Sequence, residues 1–413
     1  MTEQPVESKQ LTNLQRFFVP EGAPELCRAL ASRRSLLRWS LLSELAAANP
    51  GDDAAVFLTA ELQTLTPLHR HEVLGSPDFG VLIRSRMSGR AAPAAELAVL
   101  GAVASHRAPT SDTLTFRVQG ELRLVRQPVG RWIVVGDGEI FYNVRFAVAG
   151  DTIEITGGTN AGANQTFRLA GSAGLAQAAL RSATGGNIWE ITDGWQCYLD
   201  TFEDGNTSLE FSNAERTTLR GILDQVVELV RKIAPGVVEE MAETACYLSP
   251  IAPLQPDAGI PSFSSPDFPG VIFVGTHDCR RCPLDWRHLV ESCVHEHLHN
   301  RLYLLETAQP LTVARERDTP ARTYHSPWKR RGRPIDGMMH AIYVFAYLAW
   351  FWDKVRQSDE PAPLRDFAHA RCEEQREAVS GALKAVEGTD ELTAAGAEVI
   401  AASKRLAEQL AFV

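Results

Sequence analysis

Residues 294–306 read VHEHLHNRLYLLE, and this stretch decides how the C-terminal half of the chain folds. Its leucines recur at spacings of three and four, which is typical of a helix that packs on one side. A helix places His295 and His299 on the same face, one turn apart, with Glu296 beside that face. His297 points away from them. The pattern H-E-x-x-H on a helix predicts a centre in which two imidazoles bind one metal ion.

The composition restricts what the whole chain can be. It has 413 residues, 22% charged residues and a net charge of -10, which fits a large globular protein of one to three domains. The negative charge argues against sequence-independent binding to nucleic acid and against an anionic membrane as partner. No run of 18 apolar residues and no secretory signal is present, and the seven cysteines are scattered. We therefore expect a cytoplasmic protein with reduced thiols.

Changes in hydrophobic period divide the chain into three regions. Residues 1–110 show helical spacing, with a long helix expected over Ala23–Gly51. Residues 111–211 contain short runs of alternating apolar and polar residues between Asp-Gly and Gly-Asp turns, which indicates antiparallel strands. Residues 212–413 return to helix and carry the predicted metal site. The expected fold class is α+β, mainly helical with a β-rich middle region.

Within the third region, the pattern predicts individual elements. A first helix is expected to end at Pro235, and a loop rich in Pro, Ser and Asp is expected over Leu248–Pro269. Gly270–Gly275, GVIFVG, reads as a buried strand. The remaining elements are all helices: one that begins near Pro283, an apolar one over Pro334–Val355, and two amphipathic ones over Pro363–Val386 and Glu391–Leu410.

A metal ion held by two histidines needs a further ligand. The metzincin pattern H-E-x-x-H-x-x-G-x-x-H is absent, because Leu302 and Leu305 stand where Gly and His belong. The downstream candidates are Glu306, Glu316, His325, Asp336 and His340. We favour His340, because it is the lone ionisable residue at the start of a nearly continuous apolar run. Asp336 remains an alternative, although an acidic residue at a helix N-terminus often serves only to stabilise the helix.

A second cluster precedes His340. The stretch YHSPWKRRGRP, residues 324–334, contains Trp328 followed by the cations Lys329, Arg330, Arg331 and Arg333. Ser-Pro and Arg-Pro are stiff dipeptides and restrict this loop. Because a guanidinium forms two parallel hydrogen bonds to a carboxylate, such a loop beside a metal is suited to a dicarboxylate.

Together, HEHLH, YHSPWKRRGRP and GMMHAIYVF resemble the HExxH-domain family of peptide-modifying enzymes. The resemblance is specific over about residues 283–355. Members of that family are described as iron(II)- and α-ketoglutarate-dependent hydroxylases, which use O2 to modify the β-carbon of a residue in a ribosomally made precursor peptide. The resemblance implies the same reaction here, in natural-product biosynthesis, on a fold that is not the double-stranded β-helix of most α-ketoglutarate oxygenases.

Carried over by position, the resemblance implies that His295, His299 and His340 hold the iron. Arg333 would bind the far carboxylate of α-ketoglutarate, with Lys329 or Arg330 as substitutes and Trp328 as a further contact. Lys329–Gly332 departs from the family, which has a more acidic stretch there. Glu296 would orient a ligand, water or peptide.

Two other functions remain open. A zinc metallopeptidase would use Glu296 as the general base on a metal-bound water. A non-catalytic accessory protein would bind a peptide and use the metal only for stability. In any of the three, the β-rich middle either pairs with an extended peptide or serves as a scaffold.

Overall fold

The protein is described by a computed structural model. It describes residues 17–48, 53–87, 99, 103, 114–119, 123–126, 132–135, 141–149, 152–159, 164–170, 188–191, 206–255, 261–268, 270–278, 280, 282–315, 321–329 and 332–410. These residues form helices and strands in an α+β arrangement, which confirms the predicted α+β class. The β-rich middle region stays a prediction. The division into regions at 110 and 211 stays a prediction.

Four of the described helices precede all the described strands along the chain, and the other six follow β8. They are α1 (Pro24–Ala48), α2 (Asp53–Thr64), α3 (Pro67–Gly75), α4 (Pro77–Met87), α5 (Asn213–Ile233), α6 (Pro235–Thr244), α7 (Trp286–Ala308), α8 (Ile335–Gln357), α9 (Ala362–Ala385) and α10 (Ala394–Gln409).

The strands fall into two groups along the chain. They are β1 (Leu114–Gln119), β2 (Arg123–Arg126), β3 (Trp132–Val135), β4 (Phe141–Ala149), β5 (Thr152–Thr159), β6 (Asn164–Ala170), β7 (Glu190–Ile191), β8 (Asn206–Ser208), β9 (Tyr247–Pro253), β10 (Ser262–Phe263) and β11 (Val271–Gly275). The first group forms an antiparallel sheet in the order β1-β4-β5-β6 and a separate β2-β3 pair. Much of the predicted β-rich region 111–211 lies outside the described residues.

The second sheet is mixed and lies beside the helices of the C-terminal half. Its order is β10-β11-β9-β7, and β8 also pairs with β9. Strands β7, β9 and β11 run parallel, whereas β8 and β10 are antiparallel to their neighbours. The strand predicted at Gly270–Gly275 is confirmed as β11, and every residue of it is buried.

The loop predicted over Leu248–Pro269 is wrong in two places. Its first residues belong to β9, a central strand in which residues 248–253 are all buried. A strand buried on both faces shows no alternation of apolar and polar residues, and Pro250 and Pro253 favoured a loop because proline donates no ladder hydrogen bond. The carbonyl oxygen of Pro250 nevertheless accepts a hydrogen bond from Leu209, at 3.1 Å. Strand β10 also lies inside the predicted loop.

The predicted helix ending at Pro235 is correct, but the sequence did not predict the helix that follows. Ser212 and Glu215 form a reciprocal capping box at the start of α5. Pro235 ends α5 and then occupies the first turn of α6, where its fixed backbone is compatible with a helix. Helix α7 begins at Trp286 rather than near Pro283, because Asp285 caps it by accepting a hydrogen bond from the N–H of Arg287 at 3.0 Å.

Helices α7 and α8 form the centre of the hydrophobic core. Val294 and Leu298 of α7 and Val344, Phe351 and Trp352 of α8 are fully buried in one cluster that also includes residues of α5, α6, β9 and β11. The apolar run at residues 341–352 is therefore a buried helix. None of the described helices combines the length and the apolar character needed to cross a membrane.

Candidate metal centre

The side chain of Asn300 joins helix α7 to the second sheet. The Asn300 amide accepts a hydrogen bond from the N–H of Gly270 at 3.3 Å and donates to the carbonyl oxygen of Val271, also at 3.3 Å. Asn300 is 2% exposed. Because it joins the start of β11 to the middle of α7, it sets the face that Glu296 and His299 present.

The three predicted histidine ligands lie together. The Nε2 atoms of His295 and His299 are 3.2 Å apart, and the Nδ1 atoms of His299 and His340 are 3.0 Å apart. His340 comes from α8, so the cluster joins two helices across a sequence separation of 41 residues. His297, by contrast, points to the opposite side of α7, as its place in the helix predicted.

The three rings form a row rather than a triangle. His299 turns one ring nitrogen to His295 and the other to His340. Consistent with this, no three His, Cys, Asp or Glu side chains within the described residues have their donor atoms set around one point as a metal ion requires. The Nε2 atoms of His295 and His299 are nevertheless close enough to bind one ion, whereas Nδ1 of His340 faces the other nitrogen of His299.

Aromatic side chains enclose the row. The ring of Tyr303 lies parallel to that of His299, with centroids 6.2 Å apart, and 5.1 Å from the ring of His340. At the other end, Phe345 contacts His295 edge-on at 5.0 Å. These walls reduce the access of water, which strengthens electrostatic interactions at the imidazoles.

The electrostatic surroundings keep two of the imidazoles neutral. Burial, with added repulsion from Arg333 and Lys329, lowers the pKa of His295 to about 4. Burial also lowers the pKa of His299 well below its usual value, and the neighbouring His295, His340 and the same two cations act in the same direction. Neutral imidazole is the form that binds metal ions.

Glu296 lies beneath the row with its carboxyl group almost completely buried, at 1% exposure. One oxygen accepts a hydrogen bond from the Ser264 hydroxyl at 2.8 Å. The other has no hydrogen-bond partner among the described residues and lies 3.8 Å from Nε2 of His295. Burial raises the pKa of Glu296 to about 7, although hydrogen bonds from Ser262 and Ser264 oppose the rise.

The cationic loop is anchored at both ends. Tyr324 and Arg333 exchange two backbone hydrogen bonds, at 2.8 and 2.9 Å. The Tyr324 hydroxyl donates to Glu391 at 2.6 Å, which ties the loop to the segment between α9 and α10. The Arg333 side chain lies along the first turn of α8 over Gly337, where an added Cβ would stand 3.4 Å from its Nε. Lys329 is exposed.

The residues predicted to contact a cosubstrate lie in different places relative to the histidines. Arg333 and Lys329 are close enough to lower the pKa of His295. Trp328 instead stacks on Phe345 with ring centroids 4.5 Å apart and donates a hydrogen bond to the buried Gln375 at 3.2 Å. It therefore supports the aromatic wall beside His295. Arg330 lies outside the described residues.

The other candidate ligands lie in different surroundings. Asp336 and His325 are exposed, and Glu316 lies outside the described residues. Glu306 accepts a hydrogen bond from Nε2 of His340 at 3.0 Å. Sequence reasoning named Glu306 as a possible metal ligand but did not predict this contact, which depends on the crossing of α7 and α8.

A second polar cluster lies behind α7. His297 and Glu240 are fully buried, with Nε2 of His297 2.9 Å from a carboxylate oxygen of Glu240. Arg301, also fully buried, lies 3.5 Å from Glu240 and donates to the carbonyl oxygen of Phe17. Ala23 donates its backbone N–H to Glu240. The cluster therefore joins α6, α7 and the segment before α1.

The comparisons with known proteins add no relative to this description. No protein-family model matches the chain, and no curated protein matches it.

Proposed function

We propose that the protein is an iron(II)- and α-ketoglutarate-dependent dioxygenase that hydroxylates the β-carbon of a residue in a ribosomally made precursor peptide. One observation carries the proposal: imidazoles from two helices meet beside a loop that supplies Arg333 and Lys329, and burial keeps the two imidazoles of α7 neutral. A metal and an anion therefore have adjacent places to bind.

The donor set suits a divalent metal of the first transition row. Neighbouring nitrogen ligands on such an ion at about 2.1 Å are separated by about 3.0–3.4 Å, and the Nε2 atoms of His295 and His299 are 3.2 Å apart. His295, His299 and His340 would hold the ion. Three protein ligands leave positions open for a chelating cosubstrate and for oxygen, as non-haem iron oxygenases require.

The cationic loop suits a dicarboxylate cosubstrate. Arg333 would form paired hydrogen bonds to the distal carboxylate of α-ketoglutarate, and Lys329 would add positive charge. When iron(II) is bound, one atom of O2 enters α-ketoglutarate, which loses CO2 and becomes succinate, and the other atom is inserted into a C–H bond of the peptide. The aromatic walls formed by Tyr303 and Phe345 would limit the entry of water.

The position of β10 favours an extended peptide as substrate. The N–H of Gly275 donates to the carbonyl oxygen of Pro261 at 2.7 Å, so the paired residues Ser262 and Val274 do not exchange hydrogen bonds. The backbone N–H and C=O of Ser262 therefore point away from β11. Among the described strands, β10 is at the edge of the sheet, so these groups face outward. An extended chain paired there would pass beside Ser264 and Glu296.

A zinc metallopeptidase is the second candidate, and Glu296 favours it. A general base works best when its pKa is near the working pH, and burial raises the pKa of Glu296 to about 7. One of its oxygens has no hydrogen-bond partner among the described residues and lies 3.8 Å from His295. In this second candidate, that atom would act as the base on metal-bound water.

The two functions give different products from the same peptide. The protein, loaded with iron(II) under anaerobic conditions, is mixed with peptides encoded beside its gene, and α-ketoglutarate and O2 are then added. The proposal predicts succinate and a peptide heavier by one oxygen atom, formed in equal amounts and only when both cosubstrates are present. Cleavage of the peptide by the zinc-loaded protein without α-ketoglutarate would replace the proposal with the peptidase. Tight binding of unaltered peptide would indicate the accessory role.

A further inference from the structure

We propose that Arg34 and Arg38 of α1 form a binding site for a phosphate group, either free or carried by a small molecule. Both arginines lie on the buried face of α1, where they are 9% and 7% exposed. The site uses no residue of the candidate metal centre, so the proposal does not depend on the proposed function.

The two guanidinium groups repel each other, and no described carboxylate offsets their charge. Burial lowers the pKa of Arg34 to about 10, and only Cys246 among the described residues acts in the opposite direction. Burial and the charge of Arg34 lower the pKa of Arg38 well below its usual value. Charged side chains are rarely buried without a partner, because removing them from water is costly. An anion is therefore expected between them.

Arg38 is held in place at the end of α3. Its Nη1 donates to the carbonyl oxygens of Leu74 and Ser76, at 2.6 and 3.2 Å. The C-terminal end of a helix carries about half a negative charge, which compensates part of the charge of Arg38. Its Nη2 makes no hydrogen bond to a described residue and is not completely buried, so it stays available to a ligand.

Arg34 has less compensation than Arg38. Its Nε atom is completely buried and has no hydrogen-bond partner among the described residues. Its two Nη atoms also lack a described partner, but they are not completely buried. An anion that enters from solvent can therefore reach the end of this guanidinium, whose stem is enclosed by protein.

The spacing and charge of the pair favour phosphate over a carboxylate. Arg34 and Arg38 are four residues apart, and side chains at this spacing leave a helix about 5–6 Å from each other on one face. A tetrahedral phosphate group can accept hydrogen bonds from both guanidiniums across this distance. It also carries close to two negative charges at neutral pH, whereas a single carboxylate would leave one arginine uncompensated.

The first test measures the binding of inorganic phosphate to the whole chain by isothermal titration calorimetry at constant ionic strength. It compares wild type with Arg34→Met, in which methionine keeps an apolar stem and removes the charge. Arg33→Met is the matched control, because Arg33 is the neighbouring residue of α1, is exposed and donates to the carbonyl oxygen of Ala308 at 3.4 Å. Acetate is the comparison anion.

We expect wild type and Arg33→Met to bind one phosphate per chain, and acetate to bind more weakly. Arg34→Met should bind phosphate roughly tenfold more weakly or less, because charge-assisted hydrogen bonds are lost. The absence of saturable phosphate binding in wild type, or equal affinity in wild type and Arg34→Met, would overturn the proposal. Acetate binding as tight as that of phosphate would overturn the assignment of the ligand class.

Thermal unfolding with and without phosphate, at matched ionic strength, separates a binding role from a structural one. Without phosphate, Arg34→Met should be at least as stable as wild type, because it removes a buried charge that has no partner. Phosphate should then raise the Tm of wild type and Arg33→Met by more than that of Arg34→Met, which shows only the general effect of this salt. An Arg34→Met variant that is less stable in both conditions, with the same gain from phosphate as wild type, would show that Arg34 is structural and overturn the proposal.

Discussion

At the scale of single residues, Glu296 separates the hydroxylase from the peptidase most clearly. Its carboxyl group is buried, holds a hydrogen bond from Ser264 and has one oxygen without a partner among the described residues. In a hydroxylase this group orients neighbouring atoms, whereas in a peptidase it transfers a proton. Removing its ability to ionise while keeping its shape therefore distinguishes the two.

Glu296→Gln should leave metal affinity and α-ketoglutarate-dependent succinate formation within about tenfold of wild type, because a glutamine can still accept the hydrogen bond from Ser264. Loss of a catalytic base would lower the rate by roughly 10²–10⁴-fold. Steady-state rates with a fixed peptide measure the difference. Ser264→Ala serves as the control, since it removes the same hydrogen bond and keeps the carboxyl group. A loss of that size in the rate of peptide cleavage, in Glu296→Gln alone, would favour the peptidase.

Arg333 is the residue expected to bind the distal carboxylate of α-ketoglutarate. Arg333→Ala should weaken α-ketoglutarate binding by about 10–100-fold, because a charge-assisted, paired hydrogen bond is lost. Anaerobic equilibrium dialysis with labelled α-ketoglutarate measures this, and the iron content should remain that of the wild type. Lys329→Ala, which removes an exposed charge, should have a smaller effect. If Lys329→Ala has the larger effect, the role passes to Lys329.

At the scale of elements, the first turn of α8 carries the guanidinium of Arg333. Gly337 leaves room for it, since an added Cβ would stand 3.4 Å from Nε and 3.8 Å from Cζ of Arg333. Glycine at position 337 lowers the stability of the helix, but it leaves room for the side chain of Arg333.

Gly337→Ala should raise the free energy of unfolding by about 0.5–1 kcal/mol, because alanine loses less backbone entropy than glycine in a helix. The same variant should weaken α-ketoglutarate binding, because Arg333 must move by a few tenths of an ångström. Denaturant unfolding and equilibrium dialysis measure the two effects. Gly381→Ala in α9, where an added Cβ meets only Pro327 at 3.7 Å, is the matched control. Unchanged binding in Gly337→Ala would show that Arg333 does not need its place over Gly337.

The cluster behind α7 joins three elements through buried charges, and it makes stability depend on pH. Burial opposes ionisation of Glu240, but the charge of Arg301 and the hydrogen bond with His297 lower its pKa to about 2. An unfolded glutamate has a pKa of about 4.5. Between these values the unfolded chain binds more protons than the folded one, so stability rises with pH.

We expect this group to contribute on the order of 3 kcal/mol that is present above about pH 4.5 and is lost as the pH falls towards 2. In Glu240→Gln this part of the pH dependence should disappear. Stability near neutral pH should fall by about 3–5 kcal/mol, because Arg301 loses its buried partner. Denaturant unfolding across this pH range tests both. Glu239→Gln, next to it and exposed, is the control, and equal slopes in Glu240→Gln and wild type would contradict this account.

At the scale of the whole molecule, the sequence predicted best those features that depend on local pattern. The spacing of His295, Glu296 and His299 and the apolar run after His340 were enough to predict α7 and α8. Strand β9 was missed because it is buried on both faces and contains Pro250, so neither alternation nor a β-rich composition marked it.

Contacts between distant elements could not be predicted from local pattern. The pairing of Glu306 with His340 depends on how α7 and α8 cross, and the hydrogen bond from Ser264 to Glu296 depends on the place of β10 in the sheet. His297, set aside because of its position on the helix, has a structural partner in Glu240 that the sequence gives no sign of. Spacing thus predicts which residues share a helix face, and tertiary packing decides what they meet.

The central claim is that α7 and α8 together form one metal site. Its most direct test is the stoichiometry and affinity of Fe(II) binding under anaerobic conditions in wild type, His295→Ala and His340→Ala, with His297→Asn as a variant that alters a histidine on the opposite face of α7. The account predicts one Fe(II) per chain in wild type and in His297→Asn if the latter folds, as checked by circular dichroism, and loss of binding in both alanine variants. Full Fe(II) binding by His340→Ala would remove α8 from the site and contradict the account.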